Sequence, residues 1–113
     1  MDRLDGEQTL MRVFVGENDR FQGQALYEAL LELFRAEGLA GATVLRGVAG
    51  FGAGSVMHTD KLLRLSSNLP LVIEVVDSEE NIEAVLPKID GMFSGGLITL
   101  EKARVIRYRG EKC

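Results

Sequence analysis

At 113 residues the chain has the length of one domain. Folding a chain of that size buries roughly two thirds of the surface its unfolded form exposes, which is enough for a core without staples. Charged residues at 27% and apolar residues at 46% exclude the disordered and membrane-spanning classes, and a net charge of −4 argues against nucleic acid as the main partner.

Residues 1–9 are polar and without period, and are expected to form a loose arm. They are acidic where a signal peptide is basic and then apolar, so the chain is expected to remain in the cytoplasm. Leu10 to Val15 alternates, with Met11, Val13 and Val15 on one face and Arg12 and Phe14 on the other, and reads as a strand. The turn-rich cluster Gly16-Glu17-Asn18-Asp19 follows. Leu26, Ala29, Leu30, Leu33 and Phe34 then recur at three and four, which predicts an amphipathic helix that Gly38 stops. Ala42 to Val48 reads as a second strand.

This strand passes into a loop with glycine at 47, 50, 52 and 54. Glycine lets a backbone or a ligand approach closely, and successive N–H groups can converge on a phosphate. A loop this rich in glycine is a mobile arm or an anion cradle; on residues alone a flexible hairpin connection ranks first. No Gly-Lys-Ser/Thr follows, so it is not a P-loop, and Gly50-Phe51-Gly52 is too short for a dinucleotide fingerprint. The Gly and Ser content predicts mobility from Gly52 to Thr59.

Leu69 to Val76 reads as a third strand with Pro70 at its start, where a missing donor is tolerated. Ser78 is a good N-cap, with Glu79 and Glu80 in a first turn that favours negative charge. Ile82, Val85, Leu86 and Ile89 complete a second helix, which Pro87 is expected to kink. After Gly95-Gly96, Leu97 to Leu100 and Ala103 to Tyr108 form a last strand, bent near Glu101. Lys102, Arg104, Arg107 and Arg109 make its end locally basic, either to hold a small anion or as a solvated face. The only cysteine is Cys113, so there is no internal disulfide and no Cys-based metal motif.

Strand, helix, strand, loop, strand, helix, strand is the order of a ferredoxin-like α+β sandwich, with both helices on one face of an antiparallel sheet. The other face would carry Phe14, Val72 and Val76, too apolar to stay wet over a whole sheet, so an oligomer with its strands near the axis is expected. His58 with Asp60 could be a metal-ligand pair or a base oriented by a carboxylate, although one His and no internal Cys fall short of a zinc site. The plainer role for His58 is to anchor its own loop, and a binding protein ranks above an enzyme.

Gly41-Ala42-Thr43-Val44, Val48-Ala49-Gly50-Phe51-Gly52, Leu69-Pro70 and Val105-Ile106-Arg107-Tyr108-Arg109-Gly110-Glu111, taken in this order, resemble the PII signal-transduction superfamily. The resemblance runs from about Met11 to Glu111. Gly16-Glu17-Asn18-Asp19, Leu26-Tyr27-Glu28-Ala29, Arg46-Gly47 and His58 followed by Asp60 resemble more closely a PII-like family of uncharacterised proteins often encoded beside or fused to CrcB-type fluoride channels. The resemblance implies a homotrimer that binds an adenine nucleotide between subunits, with Thr43, Gly50, Phe51, Gly52, Gly95, Gly96, Arg107 and Arg109 around it. It also implies a long loop shown to a target protein, here a membrane channel. Ser94-Gly95-Gly96 lacks the lysine found in PII proteins, and no tyrosine lies between Ala53 and Asp60, so a smaller or different anion stays open. The expectation is therefore a regulator without catalytic residues, metal or resident cofactor. A small enzyme using His58 and Asp60 across a subunit boundary and a structural oligomer are the alternatives.

Overall fold

In the computed structural model, which describes residues 2–51, 58–59 and 68–109, the chain opens directly on a 15-residue strand, β1 (Asp2–Gly16). The expected loose arm over residues 1–9 is corrected by this. From Asp2 onward the backbone pairs antiparallel with the last strand, β8 (Leu97–Arg109), Asp2 opposite Arg109 and Gln8 opposite Ala103. In a two-stranded ribbon the inward backbone groups pair with the partner and the outward ones face water, so the pairing does not depend on apolar alternation. β8 is one continuous strand through Glu101.

After β1 a small hairpin forms from β2 (Arg20–Phe21) and β3 (Gln24–Ala25), joined by the two-residue turn Gln22-Gly23. α1 (Leu26–Ala36) buries Leu26, Ala29, Leu30 and Phe34, as its three-and-four spacing predicts. β4 (Thr43–Arg46), β5 (Ala49–Gly50) and β6 (His58–Thr59) precede β7 (Pro70–Asp77), whose residues alternate buried and half-buried throughout. α2 (Glu79–Asp90) starts on Ser78, whose hydroxyl accepts the Asn81 N–H at 3.1 Å, and runs on through Pro87.

The main sheet has the order β4-β7-β1-β8 with every neighbouring pair antiparallel, which is the ferredoxin-like arrangement. Met11, Val13, Val15, Leu71, Ile73 and Val75 point from its central strands to one side. There they meet Leu26, Leu30, Phe34, Ile82, Val85 and Ile89, so both helices cover that face and the core lies between the layers. The link between α1 and β4 is tied to the end of β7 by Asp77, which is 7% exposed and accepts N–H groups of Ala40, Ser78 and Asn81 at 2.7–2.8 Å. Burial pushes the Asp77 carboxyl up, but these hydrogen bonds and the charge of Arg107 outweigh it and hold it below the usual value.

The other face of the sheet has no helix on it among the described residues. Leu45, Val72, Phe14 and Leu97 lie side by side across the four strands, and Leu45 and Leu97 are 49% and 54% exposed. The next row holds Thr43, Glu74, Arg12 and Thr99. Arg12 donates to Glu74 at 2.9 Å and to Glu101 at 3.2 Å, and the Glu74 bond is the largest reason its guanidinium is held above its ordinary value. Among the described residues no helix is long and apolar enough to cross a membrane.

Candidate functional site

The glycine-rich segment leaves the sheet at the end where β4 stops and β7 starts. Gly47 donates its N–H to the Pro70 carbonyl at 2.8 Å, and β5 folds back so that Gly50 pairs with His58 and Ala49 with Thr59. Both glycines press on one proline ring. A Cβ on Gly47 would stand 2.8 Å from Pro70 Cγ, and one on Gly50 would stand 3.0 Å from the same atom. Their role here is close approach, and it fixes the foot of the segment against the sheet.

The turn Gly16-Glu17-Asn18-Asp19 grips both ends of that segment. Asp19 closes the turn, its Oδ2 accepting the Gly16 N–H at 2.9 Å and its own N–H donating to Gly16 O at 3.1 Å. The Glu17 N–H then reaches Leu69 O at 2.8 Å, and the Asn18 N–H reaches Asn68 Oδ1 at 2.9 Å. On the other side the Glu17 carboxylate receives Arg46 Nε at 3.0 Å and Nη2 at 3.5 Å. One short turn therefore holds the residue before Gly47 and the two residues before Pro70. Sequence reasoning saw the turn and placed Pro70 at a strand start, but it assigned no contact to Glu17, Arg46, Asn68 or the Pro70 ring. Their partners stand 20 to 52 positions away along the chain, and no local pattern marks such a pairing.

Gly95 and Gly96 lie at the same end of the sheet, just before its far strand β8. Gly96 has φ +136°, and a Cβ there would stand 2.7 Å from Phe14 O and 3.3 Å from the Phe93 ring, so the start of β8 needs glycine. Gly95 faces open space. Phe51 is 66% exposed beyond the foot, an apolar handle with no core to enter. Thr43 sits at the start of β4 opposite Glu74, three positions from Arg46.

Arg107 does not join these glycines within one protomer. It lies opposite Leu4, eleven residues beyond Gly96, about 35 Å at the rise of an extended strand. Its charge acts instead on Asp77, at the other end of the sheet. The backbone of Arg109 pairs with Asp2 at that same far end. Gly52 and Asp60 lie outside the described residues, and with them most of the segment for which mobility is expected and one member of the His58–Asp60 pair.

Two open depressions among the described residues lie elsewhere. One of about 530 Å³ is lined by Phe21, Glu32, Leu33 and Met92, another of about 300 Å³ by Leu31, Phe34 and Leu39. None of the candidate site residues lines either. Among the described residues no cluster of three His, Cys, Asp or Glu could hold a metal ion.

A family model described as Uncharacterized ACR, DUF190, matches residues 8–105. A UPF0166 protein of Aquifex aeolicus is 44% identical over 97 residues, covering 86% of this chain and 91% of its own. A UPF0166 protein of Methanocaldococcus jannaschii is 40% identical over 103 residues, covering 90% and 93%. Among solved structures, CPII of Thiomonas intermedia, a nitrogen regulatory PII-like protein bound to ADP, AMP and bicarbonate, superposes with a TM-score of 0.61 at 15% identity over 90% of this chain and 91% of its own. A Thermus thermophilus protein described as PII-like in signaling gives a TM-score of 0.59 at 19% identity, over 99% and 98%. At those identities the likeness speaks for the fold alone. The chain belongs to the DUF190 family, and its fold is that of the PII-like proteins.

Proposed function

We propose that the protein is a cytoplasmic PII-like regulator that assembles as a trimer through its open sheet face. In this reading it binds a small phosphate-bearing anion, of the adenine nucleotide class, in the cleft between subunits. Residues 51–68 then present a ligand-dependent surface to a target protein, for which the resemblance in the sequence suggests a membrane channel of the CrcB fluoride type. The protein is a binding module and not an enzyme.

The observation that carries this reading is the foot itself. Gly47 and Gly50 on Pro70, with the Gly16–Asp19 turn holding both ends, make a fixed base from which one segment departs, as a protein that signals through a segment requires. The fold supports it, since a protein with the same architecture was solved with ADP, AMP and bicarbonate bound. So does the position of Arg107. With its backbone about 35 Å along the strand from Gly96 of its own chain, Arg107 would serve the glycines from a neighbouring subunit in this reading. The apolar row Leu45, Val72, Phe14 and Leu97 supplies the surface that would bring the subunits together.

A thermal-shift screen of adenine nucleotides, other nucleotides and small anions tests the reading, because a ligand that binds only the folded protein stabilises it by an amount that grows with occupancy, about 2.7 kcal/mol at a hundredfold excess over Kd. A concentration-dependent shift with a nucleotide is the expected result. No shift with any of them contradicts it, and turnover of the stabilising compound would favour an enzyme.

A further inference from the structure

We infer that Arg46 is the cation that receives the anion at the glycine foot, and that Glu17 is its built-in competitor. The inference rests on the ligand-binding reading above and deepens it, naming a contact residue and the way the site is regulated.

Arg46 is the last residue of β4, next to Gly47, and its side chain is 46% exposed. Its fork meets Glu17 unevenly, one bond at 3.0 Å and the other at 3.5 Å. A half-exposed pair of this kind contributes little to stability and is easily exchanged. A phosphate offers the same planar fork more acceptor oxygens and more charge than a carboxylate does.

The surroundings make the exchange practicable. Glu17 keeps its place on the foot without Arg46, because its backbone N–H is bonded to Leu69 O at 2.8 Å. Releasing the guanidinium therefore breaks a side-chain pair and leaves the turn attached. Of the other charges on this turn and the hairpin after it, Arg20 donates to Gly23 O at 2.6 Å, and Asp19 is occupied by the Gly16 N–H. Arg107 is at the far end of its own sheet. Among the described residues, an anion reaching Gly47 and Gly50 thus finds Arg46 of the same protomer beside the foot, already held by a carboxylate. Binding trades Glu17 for the ligand, and the trade loosens the grip of the turn on the β4 side of the segment while the β7 side stays held. The site reads its ligand by that change.

Calorimetric titration of the full-length protein with ADP and, separately, with inorganic pyrophosphate tests this in the wild type, Glu17→Gln, Arg46→Gln and Arg46→Lys. Glu17→Gln keeps the shape of the turn and removes the competing charge, so it should bind roughly three- to tenfold tighter. Arg46→Gln should bind roughly tenfold or more weakly, with Arg46→Lys between it and the wild type because a point charge replaces a fork. Wild-type binding that Arg46→Gln leaves unchanged overturns this inference alone. So does a Glu17→Gln variant as weak as Arg46→Gln, since the pair would then be a structural prop. If neither the wild type nor Glu17→Gln binds either probe, the inference and the ligand-binding reading fall together. If Arg46→Gln does not fold, the Glu17→Gln result decides by itself.

Discussion

The amide of Gly47 donates to the carbonyl of Pro70 at 2.8 Å, and the ring of the same proline fills the space a side chain on Gly47 would need. Two residues 23 positions apart thus exclude any larger residue at the point where the segment leaves the sheet. Pro70 has no N–H to offer the sheet, and its ring takes up the packing role instead.

Gly47→Ala should destabilise the fold by about 1–3 kcal/mol, because a Cβ there would stand 2.8 Å from the Pro70 ring and 3.3 Å from its carbonyl oxygen. Gly95→Ala is the matching control. Nothing lies within 4 Å of a Cβ there, so its effect should stay within about 0.5 kcal/mol. Urea unfolding of the two variants should separate them clearly, and equal stability would mean that the foot is not built by close contact.

Asp77→Ala should cost about 2–4 kcal/mol, since it leaves the N–H groups of Ala40, Ser78 and Asn81 without their acceptor in a buried place. The same carboxylate makes stability depend on pH. Its folded value lies below the ordinary 3.8, so its contribution is fully present above that value and is lost as pH falls through the lower folded one. Unfolding free energies of the wild type and Asp77→Asn should therefore converge as pH drops below about 4. A constant gap down to about pH 2 would show that the charge is not what the network holds.

Phe14→Glu should separate the subunits without unfolding them. Phe14 lies on the open face, in the apolar row with Leu45, Val72 and Leu97, and makes no part of the core between sheet and helices. Light scattering should give a trimer for the wild type and a smaller species for the variant, with an unchanged far-ultraviolet circular dichroism spectrum. A wild-type monomer would remove the shared cleft.

Replacing Arg107 and Arg109 together by Ala should weaken ADP binding and barely change the unfolding midpoint, because Arg107 is exposed and acts on Asp77 only through its charge. Unchanged affinity in this double variant would place the ligand away from the end of β8.

The core of the fold was legible in the sequence, because each element that packs against it carries a period. Met11, Val13 and Val15 alternate, and Leu26, Ala29, Leu30 and Phe34 step by three and four; all of them are buried where those patterns put them. Ser78 announced α2 by its capping chemistry. The ribbon from Asp2 to Gln8 was not legible, since it is held by backbone pairing to Ala103–Arg109 and carries no apolar alternation. The Arg20–Ala25 hairpin is too short to carry a period.

At the site, the glycines were visible as a composition, but what they touch was not. Gly50 and Gly96 are explained by Pro70 and Phe14, residues far away along the chain. The Glu17–Arg46 pair left no trace in the sequence, because two opposite charges 29 residues apart are indistinguishable from any other surface pair until the sheet brings them together. Arg107 shows the reverse. Its charge was conspicuous, and the fold puts it at the other end of its own sheet, so the proposed reading needs a second subunit to bring it to the glycines.

Native mass spectrometry of the protein with ADP tests the central claim most directly, because it reads assembly and ligand together. The account predicts a three-chain mass that takes up as many as three ADP molecules as the nucleotide is raised. A single-chain mass, or a trimer that takes up no ADP under conditions where it stays intact, would contradict it.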